Sequence, residues 1–227
     1  MILEKIQGGL VVSCQALEDE PLHSSFIMGR MARAAMEGGA IGIRANSAAD
    51  INEIRKNTNL PVIGIVKKDY ADSSIFITAT MKEIEELATT DCEMIAIDAT
   101  SRKRPNNETL EEFVEKVRRK VPTKLLMADV ATFEEAVQAE KLGFDCVSTT
   151  LIGYTEQTDG QKIDQEDYQI LKEIVEALKI PVIAEGNVDT SEKAKRCLDL
   201  GAHSVVVGSA ITRPQIITKR FTDYINN

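Results

Sequence analysis

Short apolar, β-branched runs recur along the chain, each followed by a polar turn and then by a stretch with helical spacing. The runs predict strands at Leu10–Cys14, Ala40–Ile43, Val62–Val66, Met94–Ile97, Leu125–Ala128, Cys146–Ser148, Val182–Ala184 and Ser204–Val207. Between them the spacing predicts helices near 24–38, 47–57, 80–90, 107–120, 131–142, 164–179, 189–200 and 212–225. Ser47, Asp189 and Thr190 offer side-chain caps at or near helix starts, and Gly38, Gly143 and Gly201 fall where a left-handed residue ends a helix. Eight strands alternating with eight helices lead us to expect a (β/α)8 TIM barrel forming one domain over residues 1–227. The strands are continuously apolar, as a parallel sheet covered on both faces requires. An open doubly wound sheet is the alternative. Its G-x-G-x-x-G turn does not follow the first strand, because the glycines of "GGLVVSCQ" precede it.

Composition narrows the classes of function. With a net charge of −9, nothing points to nucleic acid, and the basic clusters Arg102–Arg104 and Arg118–Lys120 are short and sit among acidic residues. The four cysteines are far apart and mostly within or beside apolar runs, so buried, reduced thiols are expected. His23 and His203 have no His or Cys at metal-ligand spacing, so no metal site is expected. The N-terminal stretch lacks the basic start of a signal peptide, and no apolar run approaches the ~18 residues of a membrane span. The expectation is a cytoplasmic protein that contacts neither membrane nor nucleic acid.

In a barrel of this kind the chemistry gathers at the C-terminal ends of the strands. Those ends carry Gln15, Arg44, the pair Lys67 and Lys68, Asp98, Asp129, Thr149 and Thr150, Glu185 and Gly186, and Gly208 and Ser209. One polar residue at a strand end is usually a turn or a cap. Cations and carboxylates converging on one rim suggest a catalytic site instead. Strand alternation sends Lys67 and Lys68 to opposite faces, so one of them points into whatever the strand lines. The segment "VVVGSAITRP" joins a strand, a Gly-Ser turn and a helix start. With Gly186 after the seventh strand, it occupies the place where barrels bind phosphate, and Arg213 could add a charge-assisted contact. The polar loop Leu151–Asp167 is the longest without periodicity, and its Tyr154 is the residue expected to approach a ligand.

The ordered set "GGLVVSCQ", "IGIVKKDY", "MIAIDAT", "MADVAT", "GFDCVSTTLIGYT", "PVIAEG" and "VVVGSAITRP" resembles the N-acylglucosamine-6-phosphate 2-epimerase family, also called N-acetylmannosamine-6-phosphate 2-epimerase, from about residue 8 to residue 222. The resemblance implies a TIM barrel that interconverts N-acetylmannosamine 6-phosphate and N-acetylglucosamine 6-phosphate in sialic acid breakdown, as a homodimer without a cofactor. It carries a catalytic lysine onto Lys67, a catalytic glutamate onto Glu185, and substrate contacts onto Gln15, Arg44, Asp129 and Arg213. Gly186, Asn187, Gly208 and Ser209 complete the phosphate rim. Ile152 stands where that family is expected to have a small polar residue, and Asn187 where some members have arginine. Inverting C2 of an aldose requires removing its proton beside an open-chain aldehyde, and a neutral lysine can do so if cations and desolvation lower its pKa. Two other readings stay open: a Schiff-base lyase acting through Lys67, and a sugar-phosphate sensor without chemistry.

Overall fold

The computed structural model describes residues 1–226; Asn227, the last residue of the expected domain range, lies outside them. Eight parallel strands pair in sequence order and close into a barrel, β1 (Leu10–Cys14), β2 (Gly42–Asn46), β3 (Val62–Ile65), β4 (Met94–Asp98), β5 (Leu125–Asp129), β6 (Cys146–Ser148), β7 (Val182–Ala184) and β8 (Ser204–Val207). Closure is made by Val11, which stands level with Gly42 of β2 on one side and Val206 of β8 on the other. The barrel expected from the pattern is therefore the one found.

Alternation divides the core into two layers. Ile63, Ile65, Met94, Ala96, Met127, Ile183 and Val206 fill the barrel, while Ile43, Ile95, Ile97, Leu126 and Ala128 face the surrounding helices. The helices are α1 (Ile2–Ile6), α2 (Ser25–Glu37), α3 (Ala48–Asn57), α4 (Met81–Ala88), α5 (Leu110–Lys120), α6 (Phe133–Lys141), α7 (Gln169–Ala177), α8 (Ser191–Asp199), α9 (Ser209–Thr212) and α10 (Pro214–Asn226). Thr80, Thr109 and Thr132 each start a helix by accepting from a backbone N–H of the first turn, while Glu83, Glu112 and Glu135 return the bond. Ser47 and Thr190 cap α3 and α8 as expected, whereas Asp189 stands one place too early to do so.

Several expected boundaries move. The second strand is Gly42–Asn46 and not Ala40–Ile43, because Ala40 still donates to Ala35 of α2 and the strand runs on through Arg44 and Asn46. The seventh helix starts at Gln169 and not at 164, since Glu166, Asp167 and Tyr168 all have positive φ. Gly39 (φ 96°) and not Gly38 (φ −79°) takes the left-handed conformation after α2. The helix expected over 212–225 is α10, which starts at Pro214, and a separate short helix α9 that the pattern does not predict ends before Arg213, where the following Pro214 disfavours helical backbone.

The short helix α1 is not evident from the pattern, and it closes the N-terminal mouth of the barrel. Ile2 and Ile6 join the interior layer, and His203 Nε2 meets the Leu3 carbonyl at 2.7 Å. Gly42 makes room for the plug, since a Cβ there would stand 3.0 Å from Ile6 Cγ2. Ile6 is fully buried, so Ile6→Ala should lower the unfolding free energy in urea by about 2–5 kcal/mol.

Candidate active site

Towards the C-terminal ends of the strands the inward side chains become polar. Val11 is followed two residues on by Ser13, Ile65 by Lys67, Met127 by Asp129, Cys146 by Ser148 and Ile183 by Glu185. At this end of the barrel lies a cavity of about 280 Å³ walled by Gln15, Arg44, Lys67, Tyr154, Glu185, Gly186, Asn187, Gly208, Ser209 and Arg213, together with Ser13 and Phe76. Of the residues to which a catalytic or binding role is expected to fall, Asp129 is absent from the wall, and of the other strand-end residues Lys68, Asp98 and Thr149 are absent too. A hollow of about 700 Å³ beside α6 is larger but contains neither Lys67 nor Glu185.

Asp129 lies beneath the cavity, where it holds Arg44. Arg44 Nη1 and Nη2 donate to the two Asp129 oxygens at 3.0 and 2.6 Å, and Nη1 also donates to Glu185 Oε2 at 2.8 Å. Thr150 Oγ1 lies 2.8 Å from Asp129 Oδ1 and 3.1 Å from Glu185 Oε2. Arg44 is 1% exposed. Burial disfavours its charge, but the two carboxylates more than compensate and raise its pKa. Burial raises the Glu185 pKa, against the pull of Arg44 and with help from nearby Asp129. Asp129 therefore reaches the cavity through Arg44 and Glu185.

Lys67 turns inward and its neighbour Lys68 outward, as alternation requires. Among the described residues the Lys67 amine has no hydrogen-bond or ion-pair partner; it stands 6.0 Å from the centre of the Phe76 ring. Desolvation, followed by the charges of Arg44 and Arg213, lowers its pKa to about 8, with Glu185 and Asp129 opposing. Lysine ordinarily titrates near 10.4. Its backbone N–H donates to Asn46 Oδ1 at 2.8 Å, which fixes where the side chain departs.

The opposite wall is built from the last two strand ends. Gly186 has φ 96°, and a Cβ there would meet the Thr149 carbonyl oxygen at 3.2 Å. Asn187 follows at φ 56°, and Ile152, in the adjoining loop, is buried. Arg213 Nη1 donates to Ser209 Oγ at 2.8 Å, while Nε and Nη2 grip Glu20, the latter at 3.0 Å. That contact holds the Glu20 carboxyl below its usual range. Tyr154 is 57% exposed and stands at the mouth. Asp98, read as part of the rim, is instead engaged by Thr100 and Arg102 and lies outside the cavity wall. Glu20, Asn46 and Phe76 were not legible from sequence. Glu20 sits in a run of acidic residues with nothing to distinguish it, and only the need of Arg213 for a counter-charge could have singled it out. Among the described residues no group of three or more His, Cys, Asp or Glu could hold a metal ion.

Below pH 8 the Lys67 amine is protonated in both folded and unfolded chains, and its burial costs the fold on the order of 3 kcal/mol. As pH rises towards 10.5 the folded chain loses that proton first, and the cost disappears. Lys67→Met should therefore raise stability at pH 7 by about 2–3 kcal/mol, with most of the gain lost by about pH 10, as measured by urea unfolding at both pH values.

A family model described as "Putative N-acetylmannosamine-6-phosphate epimerase" matches residues 28–227. A protein of Enterobacter sp. (strain 638), named "Putative N-acetylmannosamine-6-phosphate 2-epimerase", is 60% identical over 220 residues, 97% of this chain and 94% of that protein. A protein of the same name from Clostridium perfringens is 59% identical over 224 residues, 99% of this chain and all of that protein. Among solved structures, the N-acetylmannosamine-6-phosphate 2-epimerase from Clostridium perfringens superposes with a TM-score of 0.93 at 58% identity, covering 99% of this chain and 96% of that one. Thiamine phosphate pyrophosphorylase from Pyrococcus furiosus, at 19% identity and a TM-score of 0.62, shares the fold alone. The ordered motifs, the barrel and these matches agree: the chain belongs to the N-acetylmannosamine-6-phosphate epimerase family.

Proposed function

We propose that this protein interconverts N-acetylmannosamine 6-phosphate and N-acetylglucosamine 6-phosphate by moving the C2 proton, in the breakdown of sialic acid. The observation that carries the reading is one cavity faced by an unpartnered amine with a lowered pKa and by a buried carboxylate locked to an arginine. The phosphate sits among Gly186, Asn187, Gly208, Ser209 and Arg213, where backbone N–H groups and one guanidinium meet it. Gln15 and Tyr154 contact the sugar. Arg44, held by Asp129, orients it.

Glu185 moves a proton at the ring oxygen or C1 hydroxyl, which opens the ring and exposes the aldehyde. Neutral Lys67 then removes the C2 proton, leaving an enolate whose charge spreads onto the C1 oxygen. The Lys67 ammonium returns a proton once the enolate has turned its other face to the amine, which completes the inversion and restores the aldehyde. A pKa near 8 suits this role, because a minor but usable fraction of the amine is neutral close to physiological pH, far more than for an ordinary lysine, while its conjugate acid remains strong enough to give the proton back. The step uses only protons and needs no cofactor.

The decisive measurement is proton NMR of N-acetylmannosamine 6-phosphate with the protein in D₂O. The glucosamine epimer should form with deuterium at C2, and the rate should rise with pH through about 8 as Lys67 loses its proton. Lys67→Ala should abolish C2 exchange, by about 10³-fold or more, while phosphate-sugar binding persists. Undiminished exchange in that variant would remove Lys67 from the mechanism, and a borohydride-trapped adduct would favour the Schiff-base lyase.

Homodimer formation is part of the same proposal. In α10, Phe221, Tyr224 and Ile225 are 67%, 89% and 77% exposed, an apolar strip that a second copy would cover. Light scattering should give twice the chain mass, and Phe221→Asp should shift the protein towards monomer.

A further inference from the structure

The segment Arg102–Arg104 reads in the sequence as a short basic cluster among acidic residues, but in the fold Arg104 is buried and Arg102 half-buried, with only Lys103 exposed. After β3 the chain makes an excursion before α4, doubling back as a narrow hairpin. Lys67 pairs antiparallel with Ile77, Lys68 N donates to the Phe76 carbonyl at 2.9 Å, and Thr78 N to the Val66 carbonyl at 2.8 Å. The return arm also accepts from β4, through Asp98 N to the Ile77 carbonyl at 3.2 Å. This hairpin carries both Lys67 and Phe76 into the cavity.

The connection after β4 grips the hairpin along its length. Arg102 Nη1 donates to the Ser74 carbonyl at 2.9 Å, Ser73 Oγ to the Lys103 carbonyl at 2.6 Å, and Asn106 N to Asp72 Oδ2 at 3.1 Å. Arg104 lies at the centre, 2% exposed and stacked 4.2 Å from the centre of the Phe113 ring. Its Nη2 donates to the Thr78 and Ala79 carbonyls at 3.4 and 3.0 Å, and its Nη1 to the Asp98 carbonyl.

A buried arginine that donates only to carbonyls is a poor device for stability alone, since an apolar side chain of similar length would avoid the desolvation. Burial lowers its pKa to about 10, with the charges of Asp98, Glu108 and Glu83 opposing but not offsetting the loss. What an apolar residue lacks is a rigid fork that ties several acceptors at set distances. Two of those acceptors are the carbonyls of Thr78 and of the residue after it, and Thr78 is the strained point of the hairpin, with a φ of 46° that is unfavourable for a β-branched residue. Arg104 thus pins the turn that the return arm needs in order to lie against Lys67.

We propose that Arg104 is a positioning residue for the Lys67 amine, and that the segment Arg102–Arg104 is a clamp fixing the hairpin against β4. This rests on the reading of Lys67 as the C2 base. The groups facing the amine are Arg44 from β2, Asp129 from β5, Glu185 directly after β7, Arg213 after α9 and Glu20 from the β1–α2 connection. None of them is altered by a change at Arg104.

The test compares Arg104→Met, Arg104→Lys and the unchanged protein by amide hydrogen exchange across residues 66–80 and by the pH dependence of epimerisation. In Arg104→Met, the Lys68 and Thr78 amides should exchange at least ~10-fold faster, kcat should fall about 10–100-fold, and KM should stay within about twofold. The rising limb of the pH profile should move above 8, towards the ordinary lysine value of 10.5, as water reaches the amine. Arg104→Lys should recover part of both. If Arg104→Met does not fold, Ser73→Ala combined with Arg102→Met removes outer contacts of the clamp and should shift exchange and kcat in the same direction. Unchanged exchange and an unchanged pH limb in a folded variant would overturn the clamp. Faster exchange with C2 chemistry intact in Lys67→Ala would overturn the base assignment instead and leave the clamp standing.

Discussion

Arg44 carries a full charge across the inside of a barrel that is otherwise packed with Ile, Met and Val, and much of the upper half of the molecule is arranged around that fact. Moving a guanidinium out of water costs several kcal/mol, and the cost is offset only when geometry and counter-charge are both good. Here the fork is answered by Asp129 from β5 and Glu185 from the end of β7, with Thr150 bridging the two carboxylates. Three strands that are not neighbours are thereby held at fixed separations. The closed barrel makes this possible, because only closure brings β2 opposite β5 and β7.

The same network sets the electrostatics of the cavity above it. Arg44 disfavours a proton on Lys67, while Glu185 and Asp129 favour one. Desolvation decides the balance, so the amine is held near the neutral range without a contact partner. Glu185 is oriented by the arginine but kept less acidic by burial. Two groups that would both be charged in water thus have their pKa values moved towards each other, an arrangement suited to proton traffic. It weakens the fold, and the cost falls where function is found.

The basic residues outside the cavity divide their work by burial. Arg213 is half free, sharing its fork between Glu20 and Ser209, so that one side of the guanidinium is oriented while it still lines the cavity. Arg104 is wholly enclosed and holds backbone. The sequence marks Arg213 as a phosphate contact after the last strand, whereas nothing in it separates Arg104 from the exposed Lys103 beside it.

The sequence by itself determined the strand–helix alternation and therefore the barrel, because a parallel sheet covered on both faces leaves continuous apolar runs at regular spacing. It also placed Lys67, Glu185 and the glycine-bearing loops at the cavity, since those residues follow closely on strand ends and strand order maps them to one rim, and Arg213 with them, one short helix beyond β8. The second strand was displaced because its inward positions, Arg44 and Asn46, are polar, and hydrophobic pattern cannot see a strand whose buried face carries charge. The plug α1 was missed because its few residues bury Ile2 and Ile6 into a layer that exists only once the barrel has closed. Tertiary structure alone decided that Asp129 reaches the cavity through Arg44, that Glu20 faces Arg213 at a sequence separation of 193, and that Arg104 lies against Thr78. Such contacts join residues far apart in the chain, and local spacing carries no record of which charge will meet which partner when the sheet closes.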